Sequence, residues 1–186
     1  MAENMTFEKI DYKEDHLPKG EYDNCTFINC IFYSSDISNI TFNGCKFDSC
    51  DFSLAKMNNT AFDEVKFINC KMLGLHFEEC SDFILTVYFE NCLLDLTTFY
   101  KRRLKKTKFI NCKLKDADFT ETDLTYSIFE NCDLQGTTFS HANLERADFY
   151  SSFNFSIDPE NNRIKKARFS QSGIMGLLDK YDIEIE

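Results

Sequence analysis

Cysteine is the residue type with the widest chemical potential in this chain, because nine cysteines occur in 186 residues. Five of them end near-copies of one pentapeptide: TFINC (26–30), KFINC (66–70), YFENC (88–92), KFINC (108–112) and IFENC (128–132). Cysteine thiolates bind metals or act as redox nucleophiles, thiols pair as disulfides, and neutral thiols pack as small apolar side chains. Three alternatives are therefore open at this point: a metal site, a disulfide set and a buried ladder of thiols.

A five-residue period positions these cysteines. From Phe27, every fifth residue through Phe77 is large and apolar, and a second run continues from Ile84 to Phe149 after a step of seven. The residue two places before each of these is mostly small, commonly Cys, Thr, Ala or Ser. A period of five fits neither a helix nor a strand. It predicts a solenoid in which each pentapeptide forms one side of a coil, with a two-residue insertion near 78–83.

Four pentapeptides give a 20-residue coil, and the letters repeat at that interval. The phenylalanine column is Phe27, Phe47, Phe67, Phe89, Phe109, Phe129 and Phe149. The cysteine ladder, in the small inward position of the next side, is Cys30, Cys50, Cys70, Cys92, Cys112 and Cys132. An asparagine precedes many of these cysteines and is predicted to lie at a corner, where it tolerates left-handed backbone.

The geometry of such a ladder favours buried thiols. The spacing C-x4-C differs from the C-x2-C of common zinc sites, and His16, His76 and His141 do not recur with it. Stacked Cα atoms would lie about 4.8 Å apart, inside the disulfide range of roughly 4.4–6.8 Å, so distance alone permits pairing. Parallel Cβ vectors, however, suit the disulfide dihedral poorly. A metal-binding or redox thiol protein therefore stays only as a third functional hypothesis.

The units TDLTY, CDLQG, ANLER, ADFTE and ADFYS resemble the pentapeptide-repeat family, whose motif is a small residue, Asp or Asn, Leu or Phe, and two polar residues. The resemblance covers roughly residues 22–153. It implies an all-β fold, a right-handed quadrilateral β-helix with about 20 residues per coil. We assign residues 1–20 to an N-terminal cap, 21–155 to the β-helix and 156–186 to a C-terminal cap and dimerisation tail. The tail is expected to contain a short amphipathic helix near 174–178, and YDIEIE (181–186) alternates like a strand.

Several function classes lose support from the sequence. It contains no P-loop, GxGxxG, GxSxG or HExxH motif, so we predict a protein that is not an enzyme and uses no cofactor. The polar, acidic start MAENMTFEKIDYKEDH is unlike a signal peptide, and no stretch approaches the roughly 20 apolar residues of a membrane span. A cytoplasmic location is expected, and in that compartment cysteines usually stay reduced.

Charge is distributed unevenly. The net charge of −10 disfavours direct nucleic-acid binding. Residues 1–90 carry 16 acidic and 7 basic side chains, whereas residues 91–106 carry 1 and 5. The basic band YKRRLKK (100–106) is either a solvated bulge or a docking spot, with Lys101 and Arg103 as candidate partner contacts. Arg102 falls in an inward position, where its charge requires a partner or a local distortion.

A rigid, acidic rod can imitate duplex DNA by offering carboxylates to a basic DNA channel. The chain resembles the Qnr-type quinolone-resistance and microcin-immunity group in its length, its two runs of coils and its ending SIDPENNRIKKARFS…GIMGLLDKYDIEI. That resemblance implies a type II topoisomerase partner (DNA gyrase or topoisomerase IV), protection against quinolone or toxin poisoning, and a homodimer formed through the tail. It implies dimer contacts at Ile174, Leu177, Leu178 and Ile183, and enzyme contacts at Glu78, Glu79 and Asp82. The alternative is a non-catalytic acidic scaffold that binds another protein partner.

Overall fold

The chain forms a parallel β-solenoid, described by a computed structural model over residues 1–81 and 85–184. Its strands are β1 Ala2–Glu3, β2 Thr6–Glu8, β3 Glu21–Asp23, β4 Thr26–Ile28, β5 Thr41–Asn43, β6 Lys46–Asp48, β7 Ala61–Ile68, β8 Leu85–Glu90, β9 Lys108–Ile110 and β10 Ile128–Glu130. Away from the insertion, strands pair in parallel with partners 20 residues along the chain, as Tyr22 does with Phe42 and Phe27 with Phe47. The right-handed, four-sided β-helix predicted from the repeat is confirmed.

Left-handed residues at five-residue intervals turn the chain from one side of a coil to the next. Asn29, Asn69, Asn91 and Asn111 have φ between 52° and 56°, which confirms the corner role predicted for the asparagines before the cysteines. Their amides also stack, since Asn91 Nδ2 donates to Asn69 Oδ1 at 3.2 Å and Asn111 Nδ2 donates to Asn91 Oδ1 at 3.1 Å. Asparagine corners explain how a chain with 6 Gly and 2 Pro can turn so often.

The phenylalanine column extends through the rod and is longer than predicted. Phe7 and Phe169 continue it at the two ends, and successive rings stack with centroids 4.7 to 5.5 Å apart. All seven predicted members are 0–1% exposed. A buried side chain of this size contributes about 1.5–3 kcal/mol, which offsets much of the entropy lost in ordering each coil.

The cysteine ladder is a column of buried thiols, each placed beside the backbone of the preceding coil. All nine cysteines are buried and free. Cys50 Sγ donates to the Phe27 carbonyl at 3.5 Å, and Cys132 Sγ donates to the Phe109 carbonyl at 3.3 Å. Ser152 continues the column, and its hydroxyl makes the equivalent bond at 2.7 Å. Of the three alternatives, the structure therefore shows the buried ladder.

The insertion interrupts the 20-residue register between β7 and β8. Phe62 pairs with Leu85, 23 residues away, whereas Val65 pairs with Val87, 22 residues away, so the register shifts between these two pairs. From Tyr88 onwards, the sequence separation between paired residues returns to 20. Ile84, the residue that the repeat assigned to the inward position, lies outside the described residues, and Leu85 is the register partner of Phe62.

Coil pairing extends into both segments that the sequence assigned to the caps. It begins at Ala2, and an isolated bridge joins Asp148 to Arg168, past the expected boundary at 155. In the tail, two 3-10 helices, Ser172–Leu177 and Asp179–Tyr181, take the place of the expected amphipathic helix. The strand predicted for 181–186 is wrong over 181–184, because Tyr181 ends a helix and Asp182 adopts a left-handed conformation with φ of 47°. None of the described helices has the length and apolar character of a membrane span.

Candidate partner-binding surface

One side of the solenoid is acidic over its first coils. Register pairs stack Glu3 on Asp23, Asp23 on Asn43 and Asn43 on Asp63, and Asn43 Nδ2 donates to Asp23 Oδ1 at 2.7 Å. We call this surface the acidic face and define it by five carboxylates: Glu3, Glu21, Asp23, Asp63 and Glu64. No Lys or Arg lies on this side before the insertion, and no ion pair among the described residues engages the five. Their charges are therefore uncompensated locally.

Sequence reasoning did not find the acidic face, although its signal is present in the letters. The residues that follow Tyr22, Phe42 and Phe62 are Asp, Asn and Asp, and they superpose only when the chain is aligned at 20-residue intervals. The repeat analysis used that alignment for the inward positions. Applied to the outward positions, it would have identified the same column.

Beyond the insertion, this side carries the basic band and changes sign. Lys105 Nζ lies 3.2 Å from Asp123, and Lys101 Nζ lies 3.6 Å from Glu121 and 4.7 Å from the ring centre of Tyr100. The next coil therefore compensates part of the band. Arg103 is exposed and, among the described residues, belongs to no ion pair, so it is the member of the band that is most available to a partner.

Arg102 fastens the insertion to the coil below it. Its guanidinium donates to the Glu78 carbonyl and, at 3.3 Å, to the Ser81 carbonyl. The inward position of Arg102, which the sequence analysis expected to need a partner or a distortion, is thus satisfied by the backbone of the inserted segment. A guanidinium presents several donors in a fixed plane and suits two diverging carbonyls.

The candidate contacts from the insertion and from the basic band lie near one corner. A 3-10 helix, Phe77–Glu79, holds Glu78 beside His76, whose Nδ1 is 2.8 Å from Glu78 Oε1, and leaves Glu79 exposed. The Phe77 amide donates to the Thr98 carbonyl at 2.9 Å, so this helix stacks on the coil that carries Lys101 and Arg103. Asp82, the third predicted contact of the insertion, lies outside the described residues.

The tail is fastened across the last coil. The Ile157 amide donates to the Gly176 carbonyl at 2.8 Å, and a Cβ at Gly176 would lie 2.1 Å from the Phe155 carbonyl, so only glycine permits this approach. Lys180 Nζ lies 2.7 Å from Asp158 and 2.5 Å from Glu160. Hydrogen bonding to Lys180 lowers the pKa of both carboxyl groups. These contacts hold the tail against the last coil as a cap and use few of the side chains on its outer surface.

The four predicted dimer contacts have different surroundings. Ile174 is 50% exposed and Ile183 is 56% exposed, whereas Leu177 packs against the core and Leu178 is half-buried. Sequence reasoning missed Met175, which is also exposed and lines a shallow hollow with Leu178 and Ile183. The end of the rod therefore presents an apolar surface built from Ile174, Met175 and Ile183.

Burial suppresses the reactivity of three thiols, those of Cys45, Cys70 and Cys80. Burial raises the pKa of Cys45 to about 11 and that of Cys80 to about 12, and it raises the pKa of Cys70 as well. A thiol with so high a pKa carries little thiolate, the form that attacks and binds metals. Within residues 1–81 and 85–184, no group of three or more His, Cys, Asp and Glu side chains is arranged to hold a metal ion.

Comparisons with known proteins agree on the repeat and the fold. A sequence family described as "Pentapeptide repeat region" matches residues 83–154. Two trypsin-treated variants of QnrB1, a plasmid-mediated fluoroquinolone resistance protein, superpose with TM-scores of 0.67 and 0.66 at 18% identity, covering 100% of this chain and 99% of theirs. HetL, a pentapeptide repeat protein of Nostoc sp. strain PCC 7120 involved in heterocyst differentiation regulation, gives a TM-score of 0.31 at 13% identity, over 90% of this chain and 87% of its own. No curated protein matches by sequence.

Proposed function

We propose that this chain, whose residues 83–154 match a pentapeptide repeat region, imitates duplex DNA and binds a type II topoisomerase in the channel that normally holds DNA. The supporting observation is charge density. Residues 1–90 carry a net charge of −9 (16 acidic and 7 basic), and Phe7 and Phe89 are four coil spacings apart. Four spacings of about 4.8 Å give about 19 Å, or roughly one net negative charge per 2 Å. Duplex DNA carries one per about 1.7 Å.

The acidic face concentrates part of this charge on one side of the rod. Its five carboxylates lie on strands that pair in parallel with the neighbouring coils, so their positions are set by the backbone. A basic channel that binds phosphates could bind these carboxylates instead. No lysine or arginine on this part of the side competes for them. Glu78 and Glu79 extend the same charge to the insertion, and Arg103 marks where it ends.

We further propose that binding protects the topoisomerase from a poison, as the description of QnrB1 as a fluoroquinolone resistance protein suggests for a rod of this shape and length. A protein that occupies the DNA channel competes with the drug-stabilised complex of enzyme and cleaved DNA. The exposed apolar end at Ile174, Met175 and Ile183 supports a homodimer through the tail, which would double the length of the rod.

The test is DNA gyrase supercoiling with purified protein titrated in, with and without a fluoroquinolone. We expect inhibition at high protein concentration and rescue from the drug at lower concentration. The variant Glu21→Gln/Asp63→Asn/Glu64→Gln removes three charges from the acidic face and should lose both effects. A matched control, Glu14→Gln/Glu130→Gln/Glu184→Gln, removes three exposed charges elsewhere and should retain them.

Two results would count against this proposal. Equal loss in both triple variants would show that net charge, and not the acidic face, governs the effect. No effect of the unmodified protein on gyrase or topoisomerase IV would leave the alternative function, a non-catalytic acidic scaffold for another protein partner.

For the tail, Ile174→Asp/Ile183→Asp should convert a dimer into a monomer in light scattering, and a monomeric unmodified protein would refute the tail-mediated dimer.

A further inference from the structure

A second side of the rod is apolar where water would be expected to favour polar residues. This side carries Phe32, Phe52, Met72 and Leu94 on its inner surface. Outside the two ends, every exposed large aliphatic side chain among the described residues lies on it. We call it the apolar face and define it by Ile31, Tyr33, Leu54, Leu73, Leu93 and Leu96. The Leu54 amide donates to the Leu73 carbonyl at 3.1 Å, so its members are neighbours on adjacent coils. A contiguous exposed apolar patch marks an interaction site.

Two of these leucines occupy positions that disfavour leucine. Leu54 and Leu96 lie at corners with φ of 58° and 59°, in the left-handed region, and they are 53% and 58% exposed. Gly74 and Gly136 fill the same corner on other coils, as the conformation favours. A leucine there accepts backbone strain without being buried in the monomer. Left-handed corners elsewhere carry Lys, Glu, Tyr and Arg, so the distinguishing feature of Leu54 and Leu96 is that an apolar side chain at such a corner stays more than half exposed.

The charges on this face are arranged as a palindrome of opposite signs. Isolated bridges stack one outward column whose first six members are Asp11, Ile31, Asp51, Lys71, Leu93 and Lys113 and form the palindrome, and the column continues beyond it through Asp133 to Phe153. Read from its centre, the palindrome is acidic, apolar, acidic in one direction and basic, apolar, basic in the other. Among the described residues, none of its four charged side chains belongs to an ion pair.

From this arrangement we infer that the apolar face binds a second copy of the chain, side by side and antiparallel. A two-fold axis that lies in the interface, perpendicular to the rods, superposes each column on itself in reverse order. With the axis between Asp51 and Lys71, Asp51 meets Lys71 of the second copy, Ile31 meets Leu93 and Asp11 meets Lys113. Every contact in the column then joins opposite charges or two apolar side chains.

The neighbouring columns are complementary in size under the same operation. Leu54 lies opposite Gly74 of the second copy, and Leu73 lies opposite Ser53, a buried residue, so large side chains face small ones. A Cβ at Gly74 would already lie 3.2 Å from Leu54 of its own chain, which shows how closely a leucine packs over this glycine. The same symmetry places Lys13 opposite Lys115, an unfavourable contact at each end of the interface.

The size of the interface predicts a weak, concentration-dependent dimer. The six residues of the column span five coil spacings, about 24 Å, and one side of five residues is about 16 Å wide. The contact would bury about 400 Å² on each copy, about half the usual area of a stable complex. This self-association is independent of the proposed function and uses a different surface from the tail.

Zero-length carbodiimide cross-linking of the full chain tests the geometry directly. Within one chain, Asp11 and Lys113 are about 24 Å apart, too far for an amide to form between their side chains. In the antiparallel pair they are in contact. We expect tryptic peptides that join Asp11 to Lys113, increasing with protein concentration in parallel with a dimer in sedimentation velocity. In a chain whose tail is blocked by Ile174→Asp/Ile183→Asp, a dimer without this cross-link, or a monomer at about 1 mM protein, would overturn the inference.

Charge exchange tests the same geometry by mutation. Lys71→Asp and Asp51→Lys each place like charges together, and each should weaken the side-by-side association at least about tenfold. The double exchange Asp51→Lys/Lys71→Asp should restore it. Lys56→Asp, an equal charge change at an exposed lysine on an adjacent side of the coil, outside the apolar face, is the matched control. An equal effect of Lys56→Asp and Lys71→Asp, or no recovery in a folded double variant, would refute the pairing.

Blocking the tail separates the two modes of association. Ile174→Asp/Ile183→Asp removes the apolar end of the rod and should leave the cross-link between Asp11 and Lys113 unchanged. Loss of that cross-link in the tail variant would show that the two copies meet through the tail, and the side-by-side interface would be refuted.

Discussion

Replacing Phe109 by alanine should destabilise the protein far more than the same change at the end of the phenylalanine column. Phe109 is fully buried, stacks on Phe89 at 5.2 Å and on Phe129 at 4.7 Å, and meets Phe99 and Phe119 edge-on at 6.1 and 5.8 Å. A buried Phe→Ala change costs about 3–5 kcal/mol. Because the rings above and below are fixed by their own coils, the cavity cannot collapse, and we expect a value near the upper end.

The matched control is Phe7→Ala, at the first position of the same column. Phe7 is half-buried, stacks only on Phe27 at 4.8 Å and meets Tyr22 at 6.0 Å. Its replacement should cost about 1–2 kcal/mol, since only part of the transfer free energy is lost. Phe109→Leu, which keeps most of the volume but loses the ring contacts, should cost about 1–2 kcal/mol, well below Phe109→Ala.

Urea denaturation followed by far-ultraviolet circular dichroism measures these differences, with the slope of each transition checked for changes in cooperativity. Equal destabilisation by Phe7→Ala and Phe109→Ala would refute the reasoning. It would mean that the rod unfolds without regard to position in the column, against the nearest-neighbour coupling expected of a solenoid.

Three further predictions follow from the described contacts. The native protein should react with none of its nine thiols at pH 8 in an Ellman assay and with all nine after unfolding, because all nine are buried away from the reagent; rapid reaction of the folded protein would contradict the buried ladder. Arg102→Ala should destabilise the protein by about 1.5–3 kcal/mol and make the insertion sensitive to chymotrypsin, since the Glu78 carbonyl loses its donor; unchanged proteolysis would show that the insertion is held by other contacts. The bond between Lys180 and Asp158 should be lost on acidification: the folded pKa of Asp158 lies below its ordinary value of 3.8, so its stabilisation is present above pH 3.8 and is lost as pH falls through the folded pKa. The protection factors of the tail amides, measured by NMR hydrogen exchange, should therefore fall below about pH 4, and a Lys180→Met variant should show no such step.

The fold could be predicted because few residue types can fill the inward positions of a coil. A period of five matches neither the 3.6-residue period of a helix nor the two-residue period of a strand. The columns of Phe and Cys 20 residues apart therefore identify the coil. The corner role of Asn29 and its equivalents follows from their tolerance of left-handed backbone. The register at the insertion, where Phe62 pairs with Leu85, could not be predicted, because two extra residues can be absorbed at several points of one corner.

The candidate surfaces were harder to predict, because outward residues are not restricted by packing. Arg102 fell in an inward position, and only the path of the inserted backbone shows that two carbonyls receive it. The tail was expected to form a strand. Instead, the Gly176 carbonyl in the tail accepts a hydrogen bond from the Ile157 amide, and Lys180 in the tail forms an ion pair with Asp158. These are contacts between segments whose separation follows no repeat, so the period carries no information about them.

The solenoid separates these two kinds of constraint, and this separation explains how one rod can present unlike surfaces. Each coil must fill its inward positions with the same residue types, whereas the outward residues of each side are free to vary as columns. Here one side accumulates carboxylates before the insertion, from Glu3 to Glu64, and another keeps exposed leucines at Leu54 and Leu96 in spite of backbone strain. Selection for solubility alone would mix charges on every side and place Asn or Gly at every left-handed corner. The two departures lie on different sides of the same coils, so a topoisomerase on the acidic face would leave the apolar face free for a second copy, and variants of each face should affect one activity without the other.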